Sequence, residues 1–256
     1  MEKRLKEIPR VIPCLLIQNG RLVKTTKFAD PKYVGDPLNA VRIFNEKEVD
    51  ELIFLDICAS KERSEIDYDL INSIASECFM PFAYGGGLHS LDQARRVLRN
   101  GAEKVILCSA AIENPRLLSS VADEFGSQSV VVSINVKRKL FGAYCVFDSR
   151  NGKALSLDPV RFAQRCVENG AGELFLNDVD RDGTRGGYDD GLIRAVSQQV
   201  DVPVVACGGA SSIEDLKHAI DVGASAAAAG SLFVLHGKHR AVLITYPERE
   251  RLELLF

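Results

Sequence analysis

Glycine-rich turns and serines recur at the ends of apolar segments, where they could bind phosphate. Glycine lets the backbone approach an anion and offer its N–H groups, and a serine that opens a helix lies at the positive end of the helix dipole. The predicted phosphate-binding positions are Gly86, Gly87, Ser109, Gly183, Gly208, Gly209, Gly230 and Ser231. They form an earlier and a later group, which predicts two phosphate sites and an elongated, bis-phosphorylated ligand. The alternative is that the glycines only make tight turns.

Eight short apolar runs alternate with longer amphipathic segments. The runs are nearly continuous in apolar residues, which is typical of buried parallel strands. They cover residues 11–16, 52–57, 81–84, 104–108, 130–135, 173–178, 203–207 and 225–230. Helical patterns lie between them, and in residues 90–100 the apolar side chains share one face. Eight strands with eight crossovers predict a single (β/α)8 domain, a TIM barrel, over residues 1–256.

The second half of the sequence repeats the first. The pairs of matching residues, each 122 positions apart, are Glu51 and Glu173, Asp56 and Asp178, Gly86 and Gly208, and Ser109 and Ser231. Chance rarely keeps one offset over so many positions. The repeat predicts a barrel built from two fused half-barrels of four βα units each.

The composition limits the classes of function. The 256 residues carry a net charge of −3, so we expect neither nucleic-acid binding nor attachment to an anionic membrane. No apolar run reaches the roughly 18 residues of a membrane span. The seven cysteines form no CxxC pair and do not combine with the four histidines at zinc-site spacing, which predicts free thiols, no metal and no cofactor. The first ten residues are charged, so we expect no secretory leader and a cytoplasmic location.

Taken together, the motifs over roughly residues 8–235 resemble the cyclase subunit of imidazole glycerol phosphate synthase, the HisF family. The runs that carry the resemblance are Ile12-Pro13-Cys14-Leu15, Asn19-Gly20-Arg21-Leu22-Val23-Lys24, Phe54-Leu55-Asp56-Ile57, Tyr84-Gly85-Gly86-Gly87, Ala110-Ala111-Ile112-Glu113-Asn114-Pro115 and Asp180-Arg181-Asp182-Gly183-Thr184. The resemblance implies a lyase of histidine biosynthesis that cyclises a bis-phosphorylated ribulosyl precursor with ammonia. It also implies a separate, HisH-like glutaminase on the N-terminal face of the barrel, with ammonia passing through the barrel centre.

The residues at the family's two catalytic positions differ here. By the resemblance, cyclisation needs one aspartate at the end of strand 1 and one at the end of strand 5, where this chain has Leu16 and Asn135. Neither side chain can act as a carboxylate acid or base. Because losing one such group costs about 10²–10⁴ in rate, losing both should nearly abolish cyclisation. Other predicted pocket residues are Lys24, Asp56 and Asp182.

The family's ammonia gate is retained. The resemblance places a ring of four charged residues at the N-terminal mouth of the barrel, and the matching positions are Arg10, Glu51, Lys104 and Glu173. Two cations facing two anions can satisfy one another in a closed ring. The alternative is an ion-pair plug that only stabilises the bottom of the barrel. The small residues of 225–230 could leave an open bore, or they could simply fill a tapering core.

Two functions remain in competition. The preferred interpretation is a barrel without cyclase activity that binds a glutaminase and conducts its ammonia. Such chains resemble proteins of surface-polysaccharide (O-antigen) clusters, in which a third protein uses ammonia to amidinate a sugar. The alternative is an imidazole glycerol phosphate synthase lyase that uses a rearranged acid–base pair, so whether the chain is an enzyme stays open.

Two further segments could shape the mouth of the barrel. Residues 19–35 are long for a βα loop and contain several lysines, so they could form a lid. Residues 238–240, Lys-His-Arg, form a basic cluster close to the predicted second phosphate site. This cluster could hold an anionic ligand or a partner, or it could be a solvated turn before the last helix.

Overall fold

The computed structural model describes residues 8–62, 64–139 and 142–256, so most of the charged N-terminal segment lies outside it. Within these residues, eight parallel strands pair in chain order, and the last pairs with the first. The strands are β1 (Arg10–Gln18), β2 (Leu52–Asp56), β3 (Phe82–Gly85), β4 (Lys104–Leu107), β5 (Val130–Arg138), β6 (Glu173–Asp178), β7 (Val204–Cys207) and β8 (Ala226–Ala229). The predicted (β/α)8 barrel is confirmed.

Helices cover the outside of the barrel. The outer helices are α1 (Pro37–Glu46), α2 (Tyr68–Glu77), α3 (Leu91–Arg99), α4 (Arg116–Phe125), α5 (Pro159–Glu168), α6 (Asp190–Ser197), α7 (Ile213–Val222) and α8 (Arg249–Leu255). The shorter helical turns are Ala59–Glu62, Ser109–Glu113, Ser127–Ser129 and Ser231–Val234. Sequence-encoded caps set several boundaries, as in α3, where the Ser90 side chain accepts from the Gln93 N–H. No helix of the described residues is long and apolar enough to cross a membrane.

Three β-hairpins project from the C-terminal end of the barrel. The first rim hairpin (Arg21–Gly35) pairs with β1, with Leu16 opposite Val23. A middle hairpin is formed by Tyr144–Asp148 and Lys153–Ala154. The second rim hairpin (Leu235–Val242) follows the short helix after β8. Residues 21–35 therefore form a two-stranded hairpin rather than the loop expected from the sequence, because pairing with β1 and with each other satisfies their backbone groups.

Side chains alternate between two cores along each strand. Residues such as Ile12, Phe175 and Ala226 point inward and form an apolar cluster at the barrel centre. Their sequence neighbours, such as Val11 and Leu174, pack outward against the helices. The inner positions of β8 are therefore small, as the sequence indicated.

The half-barrel repeat is reproduced in local geometry. Gly86 has a φ of +122°, and a Cβ on it would lie 2.4 Å from the Asp56 carbonyl oxygen. Gly208 has a φ of +94°, and its Cβ would lie 2.5 Å from the carbonyl oxygen of Asp178. Each aspartate also accepts N–H bonds from the residues that follow it. Both turns thus require glycine where the backbone crosses the end of a neighbouring strand.

Candidate functional site

A closed ring of four charged side chains lies at the N-terminal end of the barrel. Arg10 forms ion pairs with both Glu51 and Glu173. Lys104 Nζ lies 2.8 Å from Glu51 Oε1 and 2.8 Å from Glu173 Oε2. Each cation therefore contacts both carboxylates, and each carboxylate contacts both cations. The structure brings the four predicted gate residues together.

The ring is only partly accessible to solvent. Both carboxylates are buried, whereas the Arg10 and Lys104 side chains are 33% and 19% exposed. Burial alone would raise the pKa of Glu173, but its pairs with Arg10 and Lys104 outweigh burial and lower that pKa. Burial alone would lower the pKa of Arg10, but the two glutamates raise it. The ring therefore holds the Arg10 guanidinium and the Glu173 carboxylate in their charged forms.

A cavity opens at the opposite, C-terminal end of the barrel. It brings together most of the predicted pocket residues. Those that line it are Leu16, Lys24, Asp56, Gly86, Gly87, Ser109, Asn135, Asp182 and Gly230. The predicted positions that lie outside its lining are Gly183, Gly208, Gly209 and Ser231. The earlier group of predicted phosphate-binding residues thus lines the cavity, whereas most of the later group lies outside its lining.

The two positions expected to hold catalytic acids are neutral. Leu16 is buried in the inner apolar cluster. Asn135 Nδ2 lies 3.3 Å from Cys108 Sγ and 3.4 Å from Ser149 Oγ. Burial raises the pKa of Cys108 to about 11, so this thiol is uncharged at neutral pH. The Asn135 amide therefore bonds to a thiol and a hydroxyl, neither of which can replace a carboxylate.

The remaining carboxylates near the cavity are already engaged. Asp56 Oδ1 accepts from the N–H groups of Cys58 and Ala59, at 2.9 Å each. Asp182 forms a buried ion pair with Lys24. Asp178 lies outside the cavity lining and accepts from the N–H groups that follow it.

The loop after β6 contacts the residues predicted to form the second phosphate site. Gly187 N donates to the Gly209 carbonyl oxygen at 2.9 Å. Arg185 Nη2 donates to the carbonyl oxygen of Ser231 at 3.1 Å and also to that of Leu235. The loop therefore joins the glycine turn after β7 to the short helix after β8.

A family model described as "Histidine biosynthesis protein" matches residues 10–240. The chain belongs to this family. It is 52% identical over 246 residues to the Pseudomonas aeruginosa protein named "Putative imidazole glycerol phosphate synthase subunit hisF2", covering 96% of this chain and 98% of that one. It is 51% identical over 250 residues to the Leptospira interrogans protein named "Putative imidazole glycerol phosphate synthase subunit HisF", covering 97% of this chain and 98% of that one. An Alkaliphilus metalliredigens protein named "Imidazole glycerol phosphate synthase subunit HisF" is 41% identical over 225 residues, covering 88% and 89%.

Several cavity residues of this HisF-like chain were missed by the sequence analysis. Ser60 and Lys61 line the cavity after β2, and the Ser60 hydroxyl oxygen accepts from Gly87 N at 3.1 Å. Arg150 also lines it and forms an ion pair with Glu113. Ser60 and Lys61 follow Asp56 closely, which is a usable signal because loops after barrel strands carry function. Arg150 lies in the middle hairpin, which the strand pattern did not reveal.

The cysteines of the HisF-like chain are free thiols, as predicted. All seven are unpaired, and Cys14, Cys108 and Cys207 line the cavity. The neighbouring Cys14 thiol and burial raise the pKa of Cys207. In the described part of the chain, no group of three or more His, Cys, Asp or Glu side chains could hold a metal ion.

Proposed function

We propose that this HisF-like barrel binds a glutaminase and conducts its ammonia to an acceptor other than the histidine precursor. The acceptor reaction is amidination of a sugar in surface-polysaccharide biosynthesis, carried out by a third protein in the cytoplasm. One observation carries the proposal: the closed ring of Arg10, Glu51, Lys104 and Glu173 occurs in a chain that has Leu16 and Asn135 at the acid–base positions.

The ring suits a gate at the entry to the barrel centre. It occupies the N-terminal end, and above it the inner positions are apolar, with Ala226 and Ala228 contributing small side chains. Ammonia must pass as neutral NH3, because burying an ammonium ion is costly. An apolar interior above a ring of fixed charges favours that neutral form. The names of the relatives, which call each protein a subunit, support pairing with a glutaminase at this face.

The C-terminal cavity suits binding better than proton transfer. Asn135 is bonded to neutral groups, and Asp182 is neutralised by Lys24. The glycine turns and Ser109 offer backbone donors to a phosphorylated small molecule. The cavity therefore keeps a phosphate-binding framework around a reaction centre that lacks a general base.

The alternative function is that of an imidazole glycerol phosphate synthase lyase in histidine biosynthesis. The names of the relatives favour it, and Asp56 and Asp182 lie in the cavity as candidate acids. Against it, both carboxylates already have partners that hold them in place. A rearranged pair would have to release these contacts before it could transfer a proton.

A cyclase assay separates the two functions. The purified chain is incubated with the family's bis-phosphorylated precursor and excess ammonium at alkaline pH, beside the Leu16→Asp/Asn135→Asp double variant. We expect no turnover by the natural chain. Turnover at a rate typical of the family would establish the lyase. Activity gained only by the double variant would mean that the cavity still fits the precursor and lost only its acids.

Pairing is tested with a purified HisH-like glutaminase. We expect a stable complex in sedimentation, and stimulation of glutaminase activity when the barrel is added. Lys104→Gln opens the ring and should uncouple glutamine hydrolysis from ammonia delivery. Lys217→Gln, in α7, is the matched control because Lys217 pairs only with the exposed Asp221. Absence of a complex with the natural chain would refute the pairing.

A further inference from the structure

Arg185 lies between the cavity loops and the short helix after β8. Its Nη2 donates to the carbonyl oxygens of Ser231 and Leu235. Its Nε is buried and has no hydrogen-bond partner. A guanidinium group has five N–H donors, and here only one nitrogen is used. The remaining donors are available to an acceptor that is not part of the described chain.

The second rim hairpin adds positive charge beside Arg185. Its turn carries Lys238, His239 and Arg240, all exposed. Burial lowers the pKa of Arg185, and the nearby charge of Arg240 lowers it further. Among the described residues, no ion pair forms to Arg185, Lys238 or Arg240 within 4.0 Å. The Arg185 guanidinium contacts the Leu235 carbonyl oxygen at the base of this hairpin, and basic side chains gathered without a carboxylate favour binding of an anion.

Ser231 supplies an independent sign of a missing partner. Its side chain is 6% exposed, and its Oγ is buried without a hydrogen-bond partner. A buried hydroxyl left unpaired costs about 1–3 kcal/mol. The Arg185 guanidinium contacts the Ser231 backbone, so the two unpaired groups belong to one location. That location adjoins Gly230, which lines the cavity.

We infer that this location binds a diphosphate, with one phosphate on Ser231 and the glycine turn after β7 and the other between Arg185 and Arg240. The ligand class is an organic diphosphate whose remaining part extends into the cavity. The inference rests on the second phosphate site of the proposed function and does not depend on ammonia conduction. Arginine suits the role because its planar donors match phosphate oxygens in pairs.

The charge at this location favours a diphosphate over a single phosphate. One phosphate on Ser231 would leave Arg240 and Lys238 without a counterion. A second phosphate joined to the first brings negative charge to the second rim hairpin. Because the two phosphates belong to one molecule, translational freedom is lost only once on binding.

The inference is tested by isothermal titration calorimetry with inorganic pyrophosphate and inorganic phosphate at fixed ionic strength. We expect pyrophosphate to bind at least about 10-fold more tightly than phosphate. Arg240→Gln should weaken pyrophosphate binding about 10-fold and leave phosphate binding nearly unchanged. Arg194→Gln, an exposed arginine on α6, is the matched control and should change neither.

A second variant protects the test against misfolding. Arg185→Gln removes a hydrogen bond to the short helix after β8 as well as a charge. Its circular dichroism and unfolding midpoint are therefore compared with those of Lys238→Gln, which removes only a charge from the exposed turn of the hairpin. Equal affinity for the two anions, or pyrophosphate binding that Arg240→Gln does not weaken, would overturn the inference. Absence of binding by both anions would overturn it together with the second phosphate site. Failure of glutaminase pairing alone leaves these titrations unaffected.

Discussion

Lys24 Nζ lies 2.8 Å from Asp182 Oδ1, and both side chains are more than nine-tenths buried. The pair joins the first rim hairpin to the loop after β6. It also lies beside Gly230, where a Cβ would be 3.1 Å from Lys24 Cε. One buried ion pair therefore fixes two loops and the wall of the C-terminal cavity.

Removing one partner of this pair should destabilise the protein strongly. Lys24→Met leaves the Asp182 carboxylate buried without a counterion, and we expect a loss of about 3–5 kcal/mol in the free energy of unfolding. The Lys24→Met/Asp182→Asn double variant should recover most of that loss. Urea denaturation of the natural chain, both single variants and the double variant forms the cycle. Additive losses in the double variant would mean that the two residues do not act as a pair.

The ring at the N-terminal end predicts a pH-dependent contribution to stability. The pKa of Glu173 is lowered in the folded chain, so its contribution is complete above the unfolded pKa of about 4.3 and is lost as the pH falls through the folded value. Glu173→Gln should destabilise the chain by about 2 kcal/mol at pH 7. Urea denaturation at several pH values should show this difference shrinking below about pH 4.

Glu253→Gln is the control for the ring variant, because Glu253 pairs with Arg249 on the exposed face of α8. We expect it to change the free energy of unfolding by less than about 0.5 kcal/mol at any pH. A difference between Glu173→Gln and the natural chain that stays constant down to pH 3 would contradict the lowered pKa of Glu173.

Strand positions could be predicted from the sequence because they depend on local patterns, whereas the ring was predicted from the resemblance to the HisF family. The run at residues 173–178 matches β6, and the other strands differ from their predicted bounds by a few residues at one end or both. A charged residue that begins a buried run must lie at a barrel end, since it cannot enter the apolar centre. Which of these charged residues meet, as Arg10 meets Glu173, is seen only in the structure.

Other features depend on tertiary contacts that a single sequence does not display. The first rim hairpin was predicted as a loop, because its pairing with β1 depends on a register that hydrophobic pattern alone does not specify. Asp178 ends β6, but strand alternation turns it away from the cavity, which its neighbour Asn177 lines. Arg185 gave no signal, since its partners Ser231 and Leu235 lie far away in the chain.

Asp178 should titrate near neutral pH. Burial and the neighbouring Asp189 raise its pKa to about 6. The folded chain therefore holds this proton more tightly than the unfolded chain, and stability falls as the pH rises from about 4 to 6. Asp178→Asn imitates the protonated form and should gain up to about 3 kcal/mol relative to the natural chain between pH 4 and pH 8. Chemical denaturation across this range measures the gain.

The direct measurement is a carbon-13 titration of the Asp178 carboxyl group by NMR. Asp158→Asn is the denaturation control, since Asp158 caps α5 at the surface, where its carboxylate accepts from the Arg161 N–H. This control keeps Asp178, so it should retain the fall in stability between pH 4 and pH 6 that Asp178→Asn removes. An Asp178 carboxyl that titrates below pH 4 would refute the prediction.

The glycine turn after β7 should not tolerate a side chain. Gly209 has a φ of +116°, and a Cβ on it would lie 2.1 Å from the carbonyl oxygen of Gly187. Gly209→Ala must therefore displace the backbone of the loop after β6, and we expect a loss of at least about 2 kcal/mol in the free energy of unfolding. Gly152→Ala is the matched control, with a φ of +65° and no atom within 4 Å of its Cβ. Gly152→Ala should lower the free energy of unfolding by only about 1 kcal/mol. If urea denaturation gives the same loss for both variants, the loop after β6 moves to accommodate the methyl group at Gly209 at no extra cost.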